Sequence, residues 1–91
     1  MPKIDIPTAL RGFTDEKEVV EVTGQSVKEA LLDLIAQYPS LESNLFNDGK
    51  LRSYVNIYIN REDVRYLDGE DTKVEPDDVL MILPAIAGGT V

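Results

Sequence analysis

A single stretch of this chain has the period of a long amphipathic helix, and the segments around it have the period of strands. Val27, Ala30, Leu31, Leu34, Ile35 and Tyr38 fall at i, i+3, i+4, i+7, i+8 and i+11, one continuous apolar stripe that needs a core to cover it. Ser26-Val27-Lys28-Glu29 has capping-box spacing: the Ser26 hydroxyl accepts from the Glu29 amide while the Glu29 side chain reaches back to the Ser26 amide. The helix is therefore expected to start there. Pro39 stops it, because proline restricts the residue before it and has no N–H for the helical ladder.

Ahead of the helix, Lys3-Ile4-Asp5-Ile6 alternates polar and apolar, as does Glu18-Val19-Val20-Glu21-Val22 with one lapse. With the polar residues 12–17 between them, the two predict a β-hairpin. Beyond the helix, Leu41, Leu45 and Phe46 keep helical spacing briefly, and Asn47-Asp48-Gly49 has the composition of a turn. Tyr54-Val55-Asn56-Ile57-Tyr58-Ile59-Asn60 then alternates cleanly, with Val55, Ile57 and Ile59 on one face of a predicted strand. Asn60-Arg61-Glu62-Asp63 is expected to turn the chain into a short strand around Val64-Arg65-Tyr66. Residues 68–78, acidic and punctuated by Gly69 and Pro76, read as a surface connection. Val79-Leu80-Met81-Ile82-Leu83 is apolar at every position and predicts a strand buried on one face and in contact on the other. Either Leu80 and Ile82 or Val79, Met81 and Leu83 face the core. The order of two strands, a helix, then two or three strands predicts an α+β fold of the β-grasp kind: a mixed sheet with one main helix across one face and the last strand parallel to the first at its centre. A split βαβ fold would need a second helix late in the chain, and none is legible.

The chain has 91 residues, the size of one domain. We divide it into a β-grasp domain, residues 1–84, and a C-terminal tail, residues 85–91. Seventeen acidic against nine basic residues give a net charge of -8, which repels a phosphate backbone and favours basic protein partners over nucleic acid. No secretory h-region and no run long enough to span a bilayer are legible, so the cytoplasm is the expected location and no membrane partner is expected. There is no cysteine and no histidine. Their absence removes the soft metal ligands, the commonest general base and the usual activator of a serine or cysteine nucleophile. We therefore expect no enzyme, no catalytic residue, no metal site and no cofactor bound by this chain. Asp68, Glu70, Asp71, Glu75, Asp77 and Asp78 lack the spacing of a calcium-binding loop and read as a solvated loop that attracts a basic partner.

The other informative segment is Pro84-Ala85-Ile86-Ala87-Gly88-Gly89-Thr90-Val91, which is free of charged side chains. A Gly-Gly pair contributes nothing to stability, since glycine loses the most backbone freedom on ordering. It has no Cβ atoms, so it can thread a channel too narrow for side chains. Extended, Ala85 to Gly89 reach about 17 Å. A bare Gly-Gly is a weak motif; after a Leu-Pro-Ala strand end, and behind an acidic loop and a Val-Asn-Ile-Tyr strand, it is a strong one.

Residues 54–69, Val74-Glu75-Pro76-Asp77-Asp78-Val79 and Ile82-Leu83-Pro84-Ala85-Ile86-Ala87-Gly88-Gly89 resemble the ubiquitin-like sulfur carriers of the MoaD/ThiS family. The resemblance is strongest to the CysO-type branch, and Ile4-Asp5-Ile6-Pro7-Thr8-Ala9-Leu10-Arg11 shares it. It implies that an E1-like adenylating enzyme uses ATP to activate the carboxylate of Gly89, that a sulfur donor displaces AMP to leave a thiocarboxylate, and that Ala87, Gly88 and Gly89 enter partner active sites. Thr90 and Val91 depart from a pattern that ends at Gly-Gly. The family implies their removal by a JAMM-type zinc peptidase at the Gly89–Thr90 bond; a redundant tail is the competing explanation. The implied sulfur acceptor is a cysteine synthase, with molybdopterin, thiamine or siderophore biosynthesis as alternatives. A ubiquitin-like modifier, conjugated to lysines through Gly89, is the second reading.

Overall fold

The computed structural model describes residues 1–52 and 55–84. The helical stripe forms α1, Val27–Gln37, with Val27, Ala30, Leu31 and Leu34 buried. Its N-cap is the expected Ser26, whose Oγ accepts from the Glu29 N–H at 3.2 Å. The reciprocal bond differs by one residue. Glu29 Oε1 accepts from the Gln25 amide at 2.8 Å, because the chain folds over the first turn of α1 at Gly24. Gly24 has φ 144°, and a Cβ there would stand 2.8 Å from the Ala30 amide nitrogen. Only glycine accommodates both conditions.

The strands are β1 (Lys3–Asp5), β2 (Val19–Glu21), β3 (Phe46–Asn47), β4 (Lys50–Leu51), β5 (Val55–Ile59), β6 (Glu62–Asp63) and β7 (Val79–Pro84). Five of them form one sheet in the order β2-β1-β7-β5-β6. β1 and β2 are the expected antiparallel hairpin, and β7 runs parallel to β1 and antiparallel to β5. The last strand is therefore central, as a β-grasp fold requires. Leu80 and Ile82 face the core with no exposed surface, which decides between the two sets of β7 side chains: Val79 and Leu83 point outward at 38% and 40% exposure. Ile4, Ile57, Leu80 and Ile82 pack with Leu31 and Leu34 of α1 in one core.

The hairpin connection is more structured than a turn. Thr8–Phe13 form a 3-10 segment that buries Leu10, and the wholly buried Thr14 hydroxyl lies within hydrogen-bond distance of the Arg11 and Lys17 carbonyls. The brief helix is α2, Glu42–Leu45. Asp48 and Gly49, both at positive φ, turn β3 into β4, the backbone that a two-residue hairpin loop demands.

The strand expected around Val64-Arg65-Tyr66 is corrected. Asn60 and Arg61 both adopt positive φ, a tight turn that starts the partner strand early, at Glu62. Val64–Tyr66 is instead a 3-10 turn capped by Asp63, whose Oδ1 accepts from the Arg65 amide at 2.9 Å. An aspartate before such a turn competes with extension by satisfying its free N–H.

Candidate functional site: the end of the central strand

The last described element is the central strand β7, which ends at Pro84. β7 pairs on both sides through Met81, then on the β5 side alone, with the last register pair at Val55 and Pro84. Buried Leu80 and Ile82 fix the strand's depth and its neighbours fix its direction, so the described residues end at a defined point, Pro84. Ala87, Gly88, Gly89 and Thr90, which carry the sequence-level site, lie outside the described residues.

Around that point the outer face of the sheet is apolar with polar interruptions. Register places Val19, Asp5, Met81, Tyr58 and Asp63 in one cross-strand row, and Leu83 beside Asn56 in the next. Asp63 ends the row as a nearly buried carboxylate, held by Arg65 through a 2.7 Å ion pair and the Arg65 backbone amide. The side-chain hydrogen bonds from Arg65 are the main reason its carboxyl titrates below the ordinary carboxylate value, with the backbone bond adding to them. The same pair raises Arg65. This carboxylate braces the sheet edge and is no free acid.

A groove of about 350 Å³ opens between the ends of β1 and β7, lined by Asp5, Arg11, Glu18, Val19, Met81 and Leu83 among others. Sequence reasoning did not find it. Arg11 stood only inside a quoted segment of the resemblance, and no spacing signals a cleft built where two strands part.

The acidic connection holds no concentrated charge site. Asp78 accepts from the Asn60 side chain at 2.8 Å and from the Glu75 amide at 2.7 Å, and Glu75 pairs with Lys73 at 3.4 Å. Among the described residues no group of three or more acids is arranged to hold a metal ion. No helix there is long and apolar enough to cross a membrane.

The ThiS family pattern matches residues 4–89. The chain belongs to the ThiS family. Within that family it is 39% identical over 89 residues to the sulfur carrier protein CysO of Mycobacterium tuberculosis, covering 94% of this chain and 96% of that one. It is 34% identical over 64 residues, 70% of each chain, to small archaeal modifier protein 3 of Haloferax volcanii. Among solved structures, a chain in the crystal structure of the Amycolatopsis orientalis BexX/CysO complex superposes with a TM-score of 0.90 at 37% identity, covering 98% of this chain and all of that one. These likenesses bear out the MoaD/ThiS resemblance and the ubiquitin-like β-grasp fold. The matched region runs on past the end of β7 at Pro84 to Gly89.

Proposed function

We propose that this chain is a sulfur carrier whose working atom is the carboxyl carbon of Gly89, exposed after Thr90 and Val91 are removed. A carboxylate is a poor electrophile. An adenylating partner joins it to the AMP portion of ATP with release of pyrophosphate; sulfide sulfur from a donor then attacks the acyl carbon, AMP leaves, and one oxygen has been exchanged for sulfur. The thiocarboxylate is ionised near neutral pH and its sulfur is the nucleophile in the next transfer. All bond-making groups come from partners, so the carrier itself needs no acid, base, metal or cofactor. We assign the trimming of Gly89–Thr90 to a JAMM-type zinc peptidase, the activation to an E1-like enzyme, and the acceptance of sulfur to a cysteine synthase.

The observation that carries this reading is the 39% identity to CysO across almost the whole of both chains. The end of the family match at residue 89 supports the placement of the reacting carboxylate. The test is an intact mass after incubation with peptidase, activating enzyme, ATP and sulfide. Loss of the Thr-Val dipeptide together with exchange of one oxygen for sulfur is expected; sulfur on the untrimmed chain refutes the order of steps, and no sulfur at all on a trimmed chain refutes the carrier role.

The likeness to a small archaeal modifier protein favours a second reading, conjugation of Gly89 to lysines of other proteins. Both readings share the adenylate and differ in what attacks it. A blot of a cell lysate separates them: a ladder of high-mass adducts supports conjugation, and a single band supports sulfur carriage.

A further inference from the structure

The sheet has two edges, and they are protected unequally. β6 is blunted by its length, two residues that run straight into the 3-10 turn capped by Asp63. β2 is the other edge. Its bonds to β1 fall on the even-numbered residues: the Ile6 N–H donates to the Glu18 carbonyl at 2.8 Å and the Val22 N–H to the Pro2 carbonyl at 3.0 Å, with Val20 opposite Ile4 between them. In an antiparallel ladder of that phase the backbone groups of Val19 and Glu21 point away from β1. α1 covers the far end of this edge. Gln37 Nε2 donates to the Glu21 carbonyl at 2.9 Å and to Asp33 Oδ2 at 3.1 Å, and the same Asp33 oxygen accepts from the Thr23 N–H at 3.0 Å. The Val19 N–H, the Val19 carbonyl and the Glu21 N–H are left without a partner among the described residues. They are within reach of solvent, since Val19 is 45% exposed and Glu21 is exposed beside it.

What satisfies these three groups together is another extended backbone. Laid beside β2 in either direction, it supplies one N–H to the Val19 carbonyl and two carbonyls to the Val19 and Glu21 N–H groups. A recess of about 380 Å³ runs along the same edge, lined by Lys17, Val20, Gln37 and Tyr38 among others, and it receives every second side chain of such a strand. The remaining side chains stand on the outer face, beside Val19 and Glu21. Charge then selects the occupant. Over residues 15–21, Asp15, Glu16, Glu18 and Glu21 oppose Lys17 alone, and the ion pairs among the described residues are Arg65–Asp63 and Lys73–Glu75, so none of these four carboxylates is in one. A second copy of the chain would set the same acids against each other, and like charges across a ladder destabilise it. We propose that β2 accepts an added strand from a partner protein, an extended segment with apolar side chains toward Tyr38 and a basic one beside Glu21. The edge lies two strands away from β7, and the proposal does not rest on the sulfur-carrier reading.

The test is an NMR titration of the full chain with the acetylated, amidated peptide Lys-Val-Lys-Val-Lys. It is set beside Glu-Val-Glu-Val-Glu, beside the lysine peptide methylated at every backbone nitrogen, and beside a dilution series of the chain alone. Saturable shifts are expected at residues 17–22 and at Gln37 and Tyr38, with the Val19 and Glu21 amide protons moving downfield and exchanging more slowly with solvent. The methylated peptide keeps the charge but has no donor for the edge, and is expected to bind at least about tenfold more weakly. Glu21→Gln weakens the lysine peptide about twofold to fivefold, the worth of one exposed charge pair, and Glu62→Gln, on the opposite edge of the sheet, leaves it unchanged. Equal binding of the acidic or the methylated peptide, shifts spread over residues 68–78, indifference to Glu21→Gln or the absence of saturable binding overturns the proposal. So does protection of the Val19 and Glu21 amides that rises with the concentration of the chain alone, which would make a second copy the occupant.

Discussion

Gly24→Ala separates the two reasons a glycine is required, and its cost follows from the local geometry. The residue has φ 144°, and an added Cβ would stand 2.8 Å from the Ala30 nitrogen and 2.9 Å from both the carbonyl carbon and the Cβ of Glu29. Two of those atoms are helix backbone and the third is tied directly to it, so no side chain can swing aside. Backbone strain in that region costs about 1–3 kcal/mol. Overlap with atoms that must shift adds about 1–3 kcal/mol. A loss near 4 kcal/mol lowers the melting temperature by about 15–30 °C in a domain of this size. Gly49→Ala is the control. Its φ is 77° with nothing within 4 Å of the added atom, so strain alone acts, at about 1–2 kcal/mol. Urea unfolding followed by circular dichroism measures both, with unchanged slopes showing that the midpoints report stability. If Gly24→Ala costs no more than Gly49→Ala, the close approach of Gly24 to α1 is not what the sequence protects, and the explanation for the displaced capping bond fails with it.

Two further outcomes follow from the same structure. Leu80→Ala, wholly buried on the central strand between Ile4 and Ile59, is expected to cost about 2–5 kcal/mol by urea unfolding; a loss below about 1 kcal/mol would mean that the strand is not the anchor it is taken for. Asp63 titrates below its ordinary value in the folded chain, so its contribution is fully present above the unfolded carboxylate value of about 4 and is lost as pH falls through the lower folded value. The stability gap between wild type and Asp63→Asn is expected to be constant from neutrality to about pH 5 and to close below about pH 4; a gap that persists at the acid end contradicts the ion-pair assignment.

The parts legible in the sequence were those in which each side chain has one physical reason to be where it is. α1 shows a 3.6-residue period and a capping serine, and β5 shows a clean alternation, so both were readable. β7 was readable as a strand but not as an orientation, because five consecutive apolar residues fit either way. Pairing decided it, by setting Leu80 opposite Ile4 and Ile59. β6 was misplaced because two non-glycine residues, Asn60 and Arg61, take positive φ, and arginine gives no warning of that. The groove was invisible for another reason: it lies where β1 and β7 part beyond the Asp5–Met81 pair, and no local pattern in the sequence records where two distant strands stop pairing. What the diglycine and its context made legible was the family, which the ThiS match over residues 4–89 bears out; the tail itself lies outside the described residues.

If Gly89 is the working end, most of the affinity for a partner must come from somewhere else. Holding Ala85 to Gly89 extended in a channel costs about 1–2 kcal/mol of backbone entropy per residue, and a Gly-Gly end has no side chains with which to recover it. The compensating contacts therefore belong to the folded domain near Pro84, where Val79 and Leu83 stand partly exposed on the outer face. On the proposed function this predicts a division of kinetic effects. Leu83→Ala, which removes docking surface but leaves the tail intact, is expected to raise the KM of the adenylating enzyme for the carrier about tenfold, roughly 1.4 kcal/mol of uniform binding, with kcat unchanged. Gly88→Ala, which places a methyl group inside the channel, is expected to lower kcat. Pyrophosphate release under saturating ATP measures both. A fall in kcat with no change in KM for Leu83→Ala would show that the outer face acts on the chemical step, and would refute the separation between a domain that binds and a terminus that reacts.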